Sequence, residues 1–179
     1  MSELPPVPSN HLLSEAWASF RRCLHKDHYA RLSGRAGRFE YWSATIIGTL
    51  ISILPGILPL ILPNLLSLIG LLVWFVVITY FAMPLLAVYV RRLHDVGWSA
   101  WWIAVHYAFI AVLFAVFVFH VTQASFFAFD AEDLFTYVIS QMLPWIEYTA
   151  LPINILSTLL FILTLLPGKQ KPNRYGNPV

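Results

Sequence analysis

Charge is what this chain lacks over most of its length. Only 11% of its 179 residues are Asp, Glu, Lys or Arg, against about a quarter in soluble domains. None of the four occurs in the 50 residues Tyr41–Val90, in the 34 from Val96 to Phe129, or in the 21 from Tyr148 to Gly168. A bilayer needs about 20 consecutive apolar residues per helical span. The first run is long enough for two helices joined by a turn and the others supply one each, which predicts an all-α polytopic membrane protein with four transmembrane helices. Hydrophobic residues make up 59% of the chain and the mean hydropathy is +0.70, so water is not its main solvent. Cysteine is almost absent. Cys23 alone cannot form an internal disulfide, and no metal-binding cluster with recognisable spacing is expected. The first apolar run starts at Tyr41 and is too long for the h-region of a cleavable signal. A net charge of only +2 without a basic run argues against nucleic acid as a partner.

The charges that are present fall into a pattern. Arg21, Arg22, Lys26, Arg31, Arg35 and Arg38 precede span one; Arg91 and Arg92 lie between spans two and three; Lys169, Lys171 and Arg174 follow span four. The connection between spans three and four holds Asp130, Glu132, Asp133 and Glu147 and no basic residue. By the positive-inside rule both termini are cytoplasmic, and the basic inner face attracts anionic lipid.

Residues 1–9 contain three prolines and read as a flexible tail. Residues 10–33 read as an amphipathic interfacial helix, because Leu13, Trp17, Phe20 and Leu24 recur on one helical stripe; packing on the inner ends of the spans is the other reading of that stripe. The transmembrane domain covers 34–168 and a cytoplasmic tail 169–179. Span one is expected over about 38–60, with a turn in the proline-rich 55–64, span two over 67–90, span three over 99–121 and span four over 150–166. The segment 131–142 is too short and polar to cross and is expected as a surface helix. Ala44, Gly48, Ser52 and Gly56 recur every fourth residue, a small-residue ridge that lets a second helix approach closely.

Three polar clusters converge on the inner face by topology. The first is Gly34-Arg35-Ala36-Gly37-Arg38-Phe39-Glu40-Tyr41-Trp42. The second runs from Arg91 to Trp102 and contains Arg92, His94 and Asp95. The third is Pro172-Asn173-Arg174-Tyr175-Gly176. Asp95 stands four residues after Arg91 and three after Arg92, within ion-pair reach of either on a helix. Trp17, Trp42, Trp98, Trp101 and Trp102 suit interface anchoring. Guanidinium groups, an imidazole and a carboxylate at headgroup depth can bind an anionic lipid or phosphorylated solute; the competing reading is that they only fix topology and anchoring. The binding candidates are Arg35, Arg38, Glu40, Arg91, Arg92, His94, Asp95, Asn173, Arg174 and Tyr175.

These three motifs resemble those of the bacterial inner-membrane proteins catalogued as domain of unknown function 805. The middle one, Arg-Arg-Leu-His-Asp-x-Gly-x-Ser-x-Trp-Trp, is the most specific. The resemblance implies a small multi-span protein of the bacterial inner (cytoplasmic) membrane and no established reaction or ligand. Trp98 stands where the family often has a basic residue and Lys171 where glycine is usual, so ligand specificity is not carried over.

Weaker signals lie elsewhere. His25 and His28 flank Asp27, a spacing that reads as solvated or headgroup-facing side chains rather than a metal site. His106 and His120 are 14 residues apart, pointing within about 40° of each other but about 21 Å apart along the helix axis. Asn154, Ser157 and Thr158 form a polar stripe suited to interhelical hydrogen bonds. The favoured function is a non-enzymatic one without catalytic residues or cofactors, with a cytoplasmic-face site for anionic phospholipid headgroups or a membrane partner protein. The alternatives are a subunit of a small oligomeric transporter or channel, with His106, Asn154 and Thr79 facing one cavity, and an interfacial lipid-phosphate enzyme with His94 as base. The orientation is tested by C-terminal fusions in a bacterial host: a green fluorescent protein fusion is expected to fluoresce and an alkaline phosphatase fusion to be inactive. The opposite pair of results would reverse the topology.

Overall fold

The computed structural model describes residues 9–126 and 131–179, whose regular elements are helices, with one isolated β-bridge between Asn173 and Gly176. The proline-bearing tail, except Ser9, and Asp130 of the acidic connection lie outside the described residues. The elements are α1 (Ser9–Leu24), α2 (Arg38–Ile53), a 3-10 turn (Leu54–Ile57), α3 (Leu58–Ile61), α4 (Asn64–Asp95), α5 (Trp101–Phe126) and α6 (Ala131–Leu165). Four helical stretches are long and apolar enough to cross a membrane: Arg38–Ile61, Leu65–Asp95, Trp101–Gln123 and Phe135–Leu165. Most of their apolar side chains are exposed, as lipid-facing surfaces are. These helices mark a multi-pass membrane protein.

The chain forms two compact units, one from α1–α4 with the tail Leu166–Val179 and the other from Ala100–Leu165. In the first, α2 turns back into α4 through its prolines. Pro55 and Pro59 occupy the first turns of the 3-10 segment and of α3, where a missing N–H breaks no helical bond. Leu62, ahead of Pro63, is extended, as a residue before proline prefers, and the direction reverses there. The small-residue ridge of α2 faces α4. Ala44 is fully buried in a cluster with Tyr41 and Val88. A Cβ on Gly48 would come within 2.8 Å of the Leu85 side chain, and one on Gly56 within 2.9 Å of the Trp74 ring. Trp74 Nε1 also donates to the Ser52 carbonyl at 3.0 Å. Close backbone approach is therefore what the ridge provides.

α1 packs through one side only. Phe20 is buried and stacks on Phe81 of α4 with ring centroids 6.0 Å apart, and Cys23 joins the cluster of Ala36, Tyr41, Ala44 and Val88. Burial, and secondarily Glu40, push the Cys23 thiol up from its ordinary value, so it stays a neutral thiol. Leu13 and Trp17, from the same predicted stripe, remain exposed. After α1 the chain returns through turns held by Tyr29, whose hydroxyl donates to the Tyr80 carbonyl at 2.6 Å.

In the second unit, α5 and α6 pack on each other around Val138 and Met142, against which Val116, Val121 and Tyr137 lie. Here the structure corrects an expectation: 131–142 is not a separate surface helix but the start of a continuous α6, with Pro144 and Pro152 inside it. Polarity limits which residues cross a bilayer, whereas helix continuation requires only a supported backbone. The stripe residues Asn154 and Ser157 donate to the Ala150 and Ile153 carbonyls of their own helix rather than to a neighbour.

Candidate functional site

Each of the three polar clusters sits at a helix end in the first unit, and a backbone device puts it there. α4 ends in a Schellman motif: Gly97, with φ of 86°, donates to the His94 carbonyl, and Trp98 N–H donates to the Leu93 carbonyl. The RRLHD segment thus forms the last helical turns rather than a loop, and residues 91–96 are all buried. Consecutive helical residues point about 100° apart, so Arg91 and Arg92 face different neighbours. α2 starts after an extended Gly37, and Ala36 N–H donates to the Arg91 carbonyl at 3.1 Å. The tail folds at Asn173–Gly176, where two backbone bonds of 3.1 and 3.0 Å close a turn and Asn173 Oδ1 accepts the Tyr175 N–H.

Asp95 joins the three. Its Oδ1 accepts Arg35 Nε at 2.8 Å and lies 2.6 Å from Arg35 Nη2; its Oδ2 accepts Arg92 Nη1 at 2.5 Å. The side chains of Arg35, Arg92 and Asp95 are 1%, 0% and 4% exposed. Sequence spacing left open whether Arg91 or Arg92 pairs with Asp95, and the structure selects Arg92. A buried ion cluster persists only when its remaining polar groups are satisfied, and backbone carbonyls do this. Arg35 Nη1 donates to the Lys171 and Gly176 carbonyls, and Nη2 to those of Asp95 and Lys169. With Nε on Asp95, all five N–H groups of a guanidinium are engaged. Arg92 donates to the carbonyls of Ala36 and Leu166.

His94 and the tail motif close the same assembly. The His94 ring stacks on Tyr175 with centroids 3.7 Å apart and planes within 5°. Its Nδ1 is 3.2 Å from the Gly34 carbonyl; that oxygen can only accept, so Nδ1 carries the hydrogen. Asn173 Nδ2 donates to the His94 carbonyl at 2.9 Å, and the Arg174 guanidinium lies 4.7 Å from the Tyr175 ring centre. Arg35, Arg92, His94, Asp95, Asn173 and Tyr175 are thus committed to one another and to backbone. Asp95 faces the arginines and so is not the carboxylate that would orient His94 as a base.

The remaining candidates border an open cavity of about 790 Å³, lined by Arg22, Arg31, Arg38, Arg91 and Glu40, among others. Arg91 Nη1 bonds Glu40 Oε1 at 2.7 Å and the guanidinium also meets the Cys23 thiol; its Nε and Nη2, like Ser19 Oγ, are sealed from solvent and have no nitrogen or oxygen partner among the described residues. Arg22, Arg31 and Arg38 form no ion pair among the described residues. Of the five lining arginines, Arg35 is held by Asp95 and Arg91 by Glu40, which leaves the guanidinium charge of three. Ser19, Arg22 and Arg31 were not among the sequence candidates: Arg22 and Arg31 counted there only as topology signals, and a lone serine on a helix carries no signal. His28 also lines this cavity, whereas His25 contacts Asp27 at 3.1 Å in the open. Trp98, Trp101 and Trp102 are exposed as anchors would be, while Trp42 is half-buried against Tyr41. Thr79 donates to Phe75 of its own helix. His120 lines an apolar cavity with Gln141 and Trp145, and the Nδ1 atoms of His106 and His120 are buried without a partner among the described residues.

Four membrane-crossing helices with a buried charge cluster at the ends of α2 and α4 define a multi-pass membrane protein. The family model described as "Protein of unknown function (DUF805)" matches residues 29–177, and the chain belongs to that family. No curated protein and no solved structure matches it significantly.

Asp95→Asn would remove the charge shared by two buried guanidiniums, at a cost of about 3–5 kcal/mol. Gly168→Ala would place a Cβ on the Asp95 carboxylate and is expected to act in the same direction. Size-exclusion thermal scans in detergent should show lower melting temperatures for both and little change for exposed Arg31→Ala. A wild-type melting temperature in Asp95→Asn would refute the structural role.

Proposed function

We propose that this is a non-enzymatic protein of the bacterial inner membrane, with both termini cytoplasmic, whose inner face binds an anionic lipid headgroup in the arginine-lined cavity. The observation that carries the reading is the mismatch of charge there: Arg22, Arg31 and Arg38, without an ion pair among the described residues, line a cavity whose one acidic side chain, Glu40, is held by Arg91. Phosphate oxygens are the natural acceptors for such groups because a guanidinium presents paired N–H groups at phosphate spacing. The positive-inside pattern puts this cavity on the leaflet side where anionic lipid is drawn to basic residues. α1, with Leu13 and Trp17 exposed and Phe20 packed inward, would rest in the headgroup region beside it.

The test separates binding from folding. Arg92 is unsuitable because its loss would break the buried cluster; Arg31 and Arg38 are exposed. Native mass spectrometry of the detergent-extracted protein should show retained phosphatidylglycerol, reduced about tenfold in an Arg31→Ala, Arg38→Ala variant of unchanged melting temperature. The loss of one charged hydrogen bond, worth about 1.5–3 kcal/mol, already gives a drop of that size. Equal retention in both proteins, or none in either, contradicts the headgroup site.

A further inference from the structure

Resting on that reading, we infer that the cavity is a diphosphate site, and that the diphosphate it takes is esterified to an apolar chain which leaves between α1 and Phe39. The first argument is charge. A phosphodiester headgroup carries one negative charge, which would leave most of the guanidinium charge of Arg22, Arg31 and Arg38 uncompensated beside an apolar phase. A terminal diphosphate adds a second phosphoryl group and at least doubles the charge, matching a lining in which Glu40 is the one acidic side chain and is already held by Arg91.

The second argument is geometry. Glu40 fixes Nη1 of Arg91, so the guanidinium orientation is set before any ligand arrives. Its Nε and Nη2 are sealed behind the lining, so Arg91 supports the cavity wall and the guanidiniums that can meet a ligand are the exposed ones. Exposed Arg22, Arg31 and Arg38 belong to three different segments, α1, the turn region and the start of α2, so together they can enclose an elongated polyanion rather than a single tetrahedral group. The volume of about 790 Å³ holds two phosphoryl groups with water to spare, a water taking about 30 Å³.

The third is the exit. A neighbouring cavity of about 450 Å³ is lined by Glu15, Ala18, Arg22 and Phe39, and it shares Arg22 and Phe39 with the first. Glu15 is engaged by His11 at 3.3 Å. Phe39 is half-exposed and forms the apolar edge past which a hydrocarbon chain can run from a headgroup held by the arginines. Such a ligand is a lipid-linked diphosphate; a soluble diphosphate shares the headgroup chemistry and lacks the chain.

The experiment is titration calorimetry of the full chain in dodecyl maltoside with farnesyl diphosphate, farnesyl monophosphate, inorganic pyrophosphate and phosphatidylglycerol. Farnesyl diphosphate is expected to bind about tenfold more tightly than each of the other three. Arg31→Ala, Arg38→Ala should abolish its binding, and Phe39→Asp should weaken farnesyl diphosphate while leaving pyrophosphate unchanged. Pyrophosphate binding as tight as farnesyl diphosphate would support the diphosphate headgroup and overturn the lipid source in favour of a soluble one. Equal affinity for the monophosphate, or tighter binding of phosphatidylglycerol, would overturn the diphosphate inference and leave the headgroup reading standing. Binding of none of the four would overturn both.

Discussion

A carboxylate shared between two arginines, out of reach of water, is the interaction on which this molecule's charged end depends. Asp95, Arg35 and Arg92 would each be too costly to bury as a lone charge. Each is tolerable because the others are present and because backbone carbonyls from the tail take up the remaining N–H groups. The cluster is therefore a geometric condition on three distant parts of the chain. Arg35 reaches it from the turn before α2, Asp95 and Arg92 from the last turn of α4, and Lys169 to Gly176 close over it. A buried ion cluster of this kind is not by itself a source of stability; its consequence is specificity, since few other arrangements satisfy the same donors.

That condition has a functional corollary. Fixing Arg92 inward on α4 turns Arg91 toward Glu40 of α2, and fixing Arg35 leaves Arg38, three residues on, at the cavity edge. The arginines held in the cluster have no capacity for a ligand, whereas the exposed ones do. One set of motifs thus builds both the support and the rim of the proposed headgroup site, the arrangement in which binding groups rest on locked neighbours.

How far this was legible in the sequence depended on the physics each feature reports. Long charge-free runs report membrane spans directly, and the ridge at Ala44, Gly48, Ser52 and Gly56 reports close helix approach; both need only local pattern. The convergence of the three polar clusters followed from topology. Their division into a support and a cavity did not, because Arg91 and Arg92 have the same chemistry and only the rotation of α4 against α2 tells them apart. Span two was expected to end at about Val90, since charge usually ends a span, and spacing alone offered Arg91–Asp95 as a helical continuation; the charged turn does stay helical, to Asp95, because it is buried with partners. α6 was divided for a similar reason, with polarity at 131–142 standing in for a helix break that the backbone does not make. Arg22, Arg31 and Ser19 joined the cavity only when α1 and the following turns were folded back over α4.

The most direct test of the cluster's central place is hydrogen–deuterium exchange of the detergent-solubilised protein, comparing wild type with Arg35→Lys. Lysine keeps the charge for Asp95 but cannot present the planar set of five donors that holds the tail carbonyls. Amides of residues 166–177, including Lys169 N–H on the Asp95 carbonyl and Tyr175 N–H on Asn173, are predicted to be protected in wild type and to exchange rapidly in the variant, with the spans unchanged. Tail amides equally protected in both proteins, or unprotected in wild type, would contradict the account.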